Sequence, residues 1–204
     1  MKIKIIIADD HAIVRYGLAS LIATQPDMTL VAQAANGQEA LDMAVKTKPD
    51  IVITDLAMPV MDGAKATAAI KEKLPKTKVV ILTSYVNSDG IAHALSAGAD
   101  GAIMKTTDDS DILPAIRKIF SGEKIISPDI KRQLESDPPI PELSPRQKDI
   151  LESLIKGLTN QDIATRLGIR RDSVDKHVKA LLTKIGAANR TEAVSIAFRK
   201  MILK

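Results

Sequence analysis

Five short apolar runs punctuate the first part of the chain, at 3–8, 30–34, 51–53, 79–82 and 102–104, and several show no in/out alternation. A strand with one face in water alternates; a strand apolar throughout must be covered on both faces, as in a parallel sheet. Between the runs lie segments of helical period. Val14, Leu18, Leu21 and Ile22 make one apolar stripe, and Ala40, Leu41, Ala44 and Val45 a second. Ala92 and Leu95 suggest a weaker one before "AGADG", and Ile112, Ile116, Ile119 and Phe120 close the series. Pro114 falls early in that last helix, where its missing N–H does least harm. Five strands alternating with five helices define a doubly wound α/β domain with a five-stranded parallel sheet.

The pattern changes after Gly122. In "SPDIKRQLESDPPIPELS", Ser127-Pro128 has the form of a cap and first position of a short helix. Residues 137–142 hold three prolines in six, a stiff and extended stretch. Beyond it only helical stripes remain. Ile150, Leu151, Leu154 and Ile155 are closed by Gly157; Ile163, Ala164 and Leu167 by Gly168; Val174, Val178, Leu181, Leu182 and Ile185 by Gly186. A fourth helix is expected from about Thr191 to the C-terminus. "LG" at Leu167-Gly168, between two short helices, fits the turn of a helix-turn-helix. The expected organisation is a first domain at 1–122, a linker at 123–142 and a separate all-α four-helix domain at 143–204.

Composition removes several classes of function. There is no cysteine, which excludes disulfides and thiol chemistry. No apolar run approaches the roughly 20 residues of a membrane span, and the N-terminal "MKIKIIIADDHA" reads as a strand rather than a signal peptide. A cytoplasmic protein with no membrane partner is expected. The net charge of +4 is unevenly spread: −1 over 1–122, −2 over 123–142 and +7 over 143–204. A basic block behind a neutral one points to nucleic acid as the partner of the C-terminal part, the plainer alternative being a solvated basic surface.

In a doubly wound sheet, ligands bind beyond the carboxyl ends of the strands. The polar exceptions of the first domain fall there. Asp9 and Asp10 follow the first run, Asp55 ends the third, Thr83 the fourth and Lys105 the fifth. Singly, most have a plainer reading: Asp9-Asp10 as a helix cap, Thr83 as a β-branched strand residue, Lys105 as a surface lysine. Together they form a constellation. Three crowded carboxylates raise one another's pKa, and a divalent cation relieves the repulsion. With oxygen donors and only His11 beside them, Mg²⁺ is the natural ion. Lys105 and Thr83 then offer a charge and a hydroxyl to an anion sharing the metal, and the anion that suits Mg²⁺ and lysine is a phosphoryl group.

Asp9-Asp10, "DLAMPVMDG" beginning at Asp55, Thr83 in "LTS" and Lys105 after "GADGAIM" resemble the receiver domain of bacterial two-component response regulators, over residues 2 to about 122. The resemblance implies that Asp55 accepts a phosphoryl group from a sensor histidine kinase. It also implies Mg²⁺ held by Asp10, Asp55 and the backbone carbonyl of Ala57, with Asp9 acting through water. The turn through Pro59 and Gly63 would shape the loop that brings the Ala57 carbonyl to the metal. The chain departs from the family at Ala102, where receivers often carry an aromatic switch residue, and at Thr106, where many have proline. Tyr85 lies too close to Thr83 to replace the aromatic.

"LSPRQ", "GLTNQDIA", "LGI", the spaced "SV", "KHV" and "KIG" of the third helix, and "NRTEA" resemble the four-helix DNA-binding domain of NarL/FixJ/LuxR regulators, from Leu143 to the end. The third stripe turns Val174, Val178, Leu181 and Leu182 inward, so Asp172, Asp175, Lys176, Lys179 and Thr183 face outward, as on a recognition helix. Arg170, Arg171 and the helix N-terminus at Asn160 are candidates for phosphate contacts. Ser173 and His177 complete the candidate DNA-binding set with Asp175, Lys176 and Lys179. The family usually has lysine in place of Asp175 and glutamate in place of Gln147. Asp175 has three candidate roles: cytosine readout, pairing with Lys179, or repulsion of phosphates.

The function implied is a phosphorylation-dependent transcription regulator that dimerises when phosphorylated and binds double-stranded DNA with two-fold sites. Val194, Ala197 and Phe198 are the candidate dimer seam. It would be no enzyme beyond its own phosphorylation and dephosphorylation. An aspartyl phosphohydrolase needs an acid two residues after its nucleophile, and Ala57 stands there. The alternative is a phospho-regulated protein-interaction module with weak or lost DNA binding, suggested by Asp175.

Overall fold

The computed structural model describes residues 2–84, 88–105, 109–141, 143–200 and 202, with the side chains of 109–111 and 199 left aside. Tyr85 and Thr106 lie outside the described residues. The chain divides into two compact units, Met1–Pro138 and Pro139–Lys204.

The first unit runs β1 (Ile3–Ala8), α1 (Ala12–Ala23), β2 (Met28–Ala34), α2 (Gly37–Thr47), β3 (Ile51–Thr54), α3 (Gly63–Lys73), β4 (Lys78–Thr83), α4 (Ser88–Ser96), β5 (Gly101–Met104), α5 (Asp109–Phe120), β6 (Ile125–Ile126) and α6 (Pro128–Ser136). Its sheet is parallel throughout, in the order β2-β1-β3-β4-β5-β6. Ile5, Ile7, Ile53, Val80, Leu82 and Ile103 pack on one face against α1 and α5. Ile6, Val52 and Val79 pack on the other against α2 and α3, and Ile81, Ala102 and Met104 against α4 and α6. Burial on both faces is why these strands lack alternation.

Three expectations are corrected. The sheet has six strands among the described residues rather than five, because Ile125 and Ile126 pair with Gly101 and Ala102. Residues 123–136, expected as part of the 123–142 linker, accordingly build onto the first unit, which ends at Pro138. Ile130 of α6 is fully buried beside Ala102, Ile81 and Ile91. Burial of one such side chain contributes about 1.5–3 kcal/mol, which the small Ala102 makes room for. Pro114 is the sixth residue of α5, in its second turn rather than at its start.

The second unit runs α7 (Pro145–Ile155), α8 (Asn160–Leu167), α9 (Arg171–Ile185) and α10 (Arg190–Arg199). Its core is Leu143, Ile150, Leu151, Leu154, Ile163, Ala164, Val174, Leu181, Ile185, Ala193 and Ala197. Ser144 and Gln147 form a reciprocal capping box at α7, and Thr159 and Asp162 another at α8. Gln147 thus serves in the cap as a glutamate would. Gly168, at φ +64°, supplies the left-handed turn between α8 and α9.

Candidate functional site

The backbone ladder of the sheet runs one residue past its strands and pins the first site. Asp9 N–H donates to the Ala34 carbonyl at 3.1 Å, Asp55 N–H to Ala8 at 2.8 Å and Lys105 N–H to Thr83 at 2.8 Å. Asp9, Asp55 and Thr83 are buried. β1 lies between β2 and β3, so the two acids straddle the point where the winding of the sheet reverses.

Lys105 Nζ stands 2.6 Å from Asp9 Oδ2 and 3.2 Å from Asp55 Oδ2. The other Asp55 oxygen accepts the Leu56 N–H at 2.8 Å. His11 Nδ1 is 2.8 Å from Asp10 Oδ1, and the His11 N–H donates to Asp9 Oδ1 at 2.9 Å. Asp9 therefore orders the start of α1 without being its N-cap, a place taken by His11. Burial foremost raises the pKa of Asp55; Lys105 opposes that and the charge on Asp9 reinforces it. One donor atom each from Asp9, Asp10, His11 and Asp55 lies within 4.8 Å of the others. This oxygen-rich set, carrying more negative charge than Lys105 balances, suits a hard divalent cation.

The loop after β3 is tight. A Cβ on Gly63 would sit 2.1 Å from the Asp55 carbonyl oxygen, so only glycine lets α3 start there. Asp62 caps α3 through the Lys65 N–H. Met61 N–H donates to the Pro59 carbonyl at 2.7 Å around Val60, whose φ is +65°. A β-branched residue in that region carries roughly 1–3 kcal/mol of strain, stored beside Asp55 and Ala57.

Two features here were not read from the sequence. Arg15 donates to the Asp9 carbonyl at 2.6 Å. Asp100 accepts from Lys71 at 2.6 Å, Lys78 at 3.0 Å and the Val79 N–H at 3.0 Å, tying α3 and β4 to the start of β5. The Asp100 partners are far away in sequence, and Arg15 bonds a backbone carbonyl, which leaves no side-chain pattern to read.

On the second unit, Asp172, Asp175, Lys176 and Lys179 are exposed on α9, Ser173 and His177 are half-buried, and Arg170 and Arg171 lead into the helix. Arg170 pairs with Asp172 at 3.3 Å. Asp175 is engaged by Asn160, whose Nδ2 donates to Oδ1 at 2.6 Å; no Asp175–Lys179 ion pair is present among the described residues. The candidate seam separates. Phe198 is exposed and Val194 half-buried, but Ala197, expected in the same seam, is buried in the unit's own core.

A parallel α/β unit with an acid–lysine cluster at its strand ends, followed by a four-helix unit built on a helix-turn-helix, defines a class. The chain belongs to the response regulators of the NarL/FixJ/LuxR family. The response regulator receiver domain matches residues 5–117, and the luxR family of bacterial regulatory proteins matches residues 141–197. Among relatives, the response regulator protein VraR of Staphylococcus aureus is 38% identical, covering 100% of both chains. The response regulator ChrA of a heme-sensing two-component system is 32% identical, with a TM-score of 0.59 over 99% of each chain. RcsB of Salmonella enterica serovar Typhimurium, bound to the promoter P1flhDC in the presence of phosphomimetic BeF3-, shares the fold at 24% identity, with a TM-score of 0.72 over 96% of this chain and 98% of that one. Among the described residues, no helix is long and apolar enough to cross a membrane.

Proposed function

We propose that the protein is a cytoplasmic transcription regulator switched by phosphorylation of Asp55. The observation that carries the reading is Lys105 Nζ within 3.2 Å of both Asp9 and Asp55 at the sheet edge. In the transfer, an Asp55 carboxylate oxygen bonds to the phosphorus of a kinase phosphohistidine. The P–N bond breaks and its electron pair passes to the imidazole nitrogen. Asp55 is held by its own N–H on Ala8 and by the Leu56 N–H, so little motion precedes attack. Lys105 attracts the phosphoryl oxygens, and the Thr83 hydroxyl, at the adjacent strand end, donates to one of them. Asp10, Asp55 and the Ala57 carbonyl would hold Mg²⁺, with Asp9 acting through water; the ion would supply the positive charge that lets the acids and the phosphoryl group share one pocket.

Phosphorylation favours a homodimer and tighter binding to two-fold sites on double-stranded DNA. The basic charge of the second unit and the exposed face of α9 support DNA as the partner, as does the promoter complex of RcsB. Arg170, Arg171, the α8 N-terminus at Asn160 and, further along α9, Lys179 contact phosphates; Ser173, Asp175, Lys176 and His177 lie toward the groove. Phe198, with Val194 beside it, is the dimer seam. The other reading, a protein-interaction module with decayed DNA binding, draws on the acid at Asp175 and predicts no salt-dependent affinity for duplex DNA.

The test of the receiver assignment is labelling by acetyl phosphate. Asp55 should be the sole labelled residue, Mg²⁺ should be required, and Asp55→Asn should abolish labelling. Undiminished labelling of that variant would sink the assignment.

A further inference from the structure

The acid on the exposed face of α9 has few partners available on DNA. Phosphates repel it. In the major groove, guanine presents the acceptors N7 and O6 and thymine the acceptor O4, so only the amino groups of cytosine and adenine can donate to a carboxylate. Adenine N6 is flanked by the acceptor N7, which would face the second carboxylate oxygen. Cytosine N4 has no acceptor beside it on that edge, so it is the better partner.

Asp175 does not stand alone as a mobile charge. Asn160, the first residue of α8, donates its amide to Asp175 Oδ1 at 2.6 Å across the helix-turn-helix. That bond fixes the rotation of the carboxylate and leaves Oδ2 to accept from another donor. Both residues lie in the region read above as the DNA interface, and Asp175 is the fifth residue of α9, near the end of a recognition helix that meets base edges.

We infer that Asn160 and Asp175 form one base-reading element, in which Asp175 Oδ2 accepts a hydrogen bond from the N4 amino group of a cytosine in each half-site and Asn160 holds the carboxylate in register. The inference rests on the DNA-binding reading and gives it a specificity. Discrimination comes chiefly from rejection. A half-site without an amino group there leaves a desolvated carboxylate facing acceptors or a methyl group, whereas cytosine restores the lost hydration with a charge-assisted bond. Asn160 is a positioning residue in this scheme.

The experiment selects the full-length protein, treated with acetyl phosphate and Mg²⁺, on duplex DNA with a randomised core. Base preferences are then compared with those of Asp175→Ala, Asp175→Asn and Asn160→Ala. The unaltered protein should prefer cytosine at one position per half-site by roughly tenfold to a hundredfold. Asp175→Ala should level that position and leave the others ranked as before. Asp175→Asn should move the preference toward adenine, which an amide can engage at N6 and N7 together. Asn160→Ala should keep the preference for cytosine but shrink it. If Asp175→Ala instead tightens binding to all duplexes alike, the carboxylate only repels phosphates and the inference is overturned. It is equally overturned if affinity and ranking stay unchanged, since the pair would then only tie α8 to α9. If the unaltered protein binds no duplex at all, the DNA-binding reading itself fails, an outcome distinct from either of these.

Discussion

The two charged sites of this molecule are built in opposite ways. At the strand ends, the Lys105 side chain is 12% exposed and its partners Asp9 and Asp55 are 2% and 7% exposed. On α9, the ion pair of Arg170 and Asp172 keeps 86% and 74% of those side chains in water. Charges in the first site are desolvated before any ligand arrives, so each needs its neighbour and their geometry is fixed. Charges in the second stay hydrated and only weakly coupled until they meet a polyanion and displace its counterions. Group transfer to a single oxygen requires the first arrangement. Recognition of a long, regularly charged polymer is served by the second.

The largest effect that separates the two should come from Lys105→Met. Removing the cation strands two buried carboxylates and should cost about 3–5 kcal/mol in a metal-free denaturation experiment. Added Mg²⁺ should restore much of it, because the ion replaces the missing charge and binds only the folded state. A loss as small as that of a surface lysine would break the contrast.

Gly63→Ala comes next. Its Cβ would meet the Asp55 carbonyl oxygen at 2.1 Å, so the loop must move. About 1–3 kcal/mol of stability should be lost, with slower labelling of Asp55 by acetyl phosphate. Unchanged labelling would mean that the position of Asp55 does not depend on this close approach.

Asp100→Asn should cost a similar amount, about 1–3 kcal/mol, since Lys71 and Lys78 lose their shared carboxylate. Burial works to raise the Asp100 pKa, but the bonds from Lys71, the Val79 N–H and Lys78 together hold it below the ordinary carboxylate range. A lowered folded pKa contributes stability that is present above the unfolded value, about 4, and is lost as pH falls through the folded one. The gap between the unaltered protein and Asp100→Asn should therefore narrow on acidification. A gap independent of pH would argue against the ionic clasp.

The smallest stability effect belongs to the second site. Lys179→Ala should change the folding free energy by no more than about 0.5 kcal/mol. It should still lower the slope of log affinity against log salt by about one and weaken all DNA sequences alike. A sequence-dependent loss would place Lys179 on a base edge instead of a phosphate.

Much of this was legible in the sequence, for identifiable reasons. Strands β1, β3, β4 and β5 are buried on both faces over nearly all their length, so their runs are apolar, and the polar residues that follow them mark the strand ends at once; β2, at the sheet edge, is only half-buried. The glycine-terminated stripes of the second unit fixed its helices similarly. β6 was missed because Ile125–Ile126 is too short to show a period; α6 was legible from its Ser127-Pro128 start, but its docking was not, because Ile130 meets Ala102, Ile81 and Ile91 only through the fold. The inward phase of α10 runs through Ala193 and Ala197, small residues with little hydrophobic signal, so the sequence did not separate buried Ala197 from exposed Phe198. Asn160 and Asp175 are fifteen residues apart on different helices, and only the fold brings them together.

The central claim is that the buried site governs the solvated one. The direct measurement is the affinity of the full-length protein for duplex DNA carrying its selected two-fold site, at fixed salt, with and without acetyl phosphate and Mg²⁺, for the unaltered chain and for Asp55→Asn. Phosphodonor and Mg²⁺ together should tighten binding of the unaltered chain and leave Asp55→Asn where it was. Equal tightening of both, or of neither, would contradict the account.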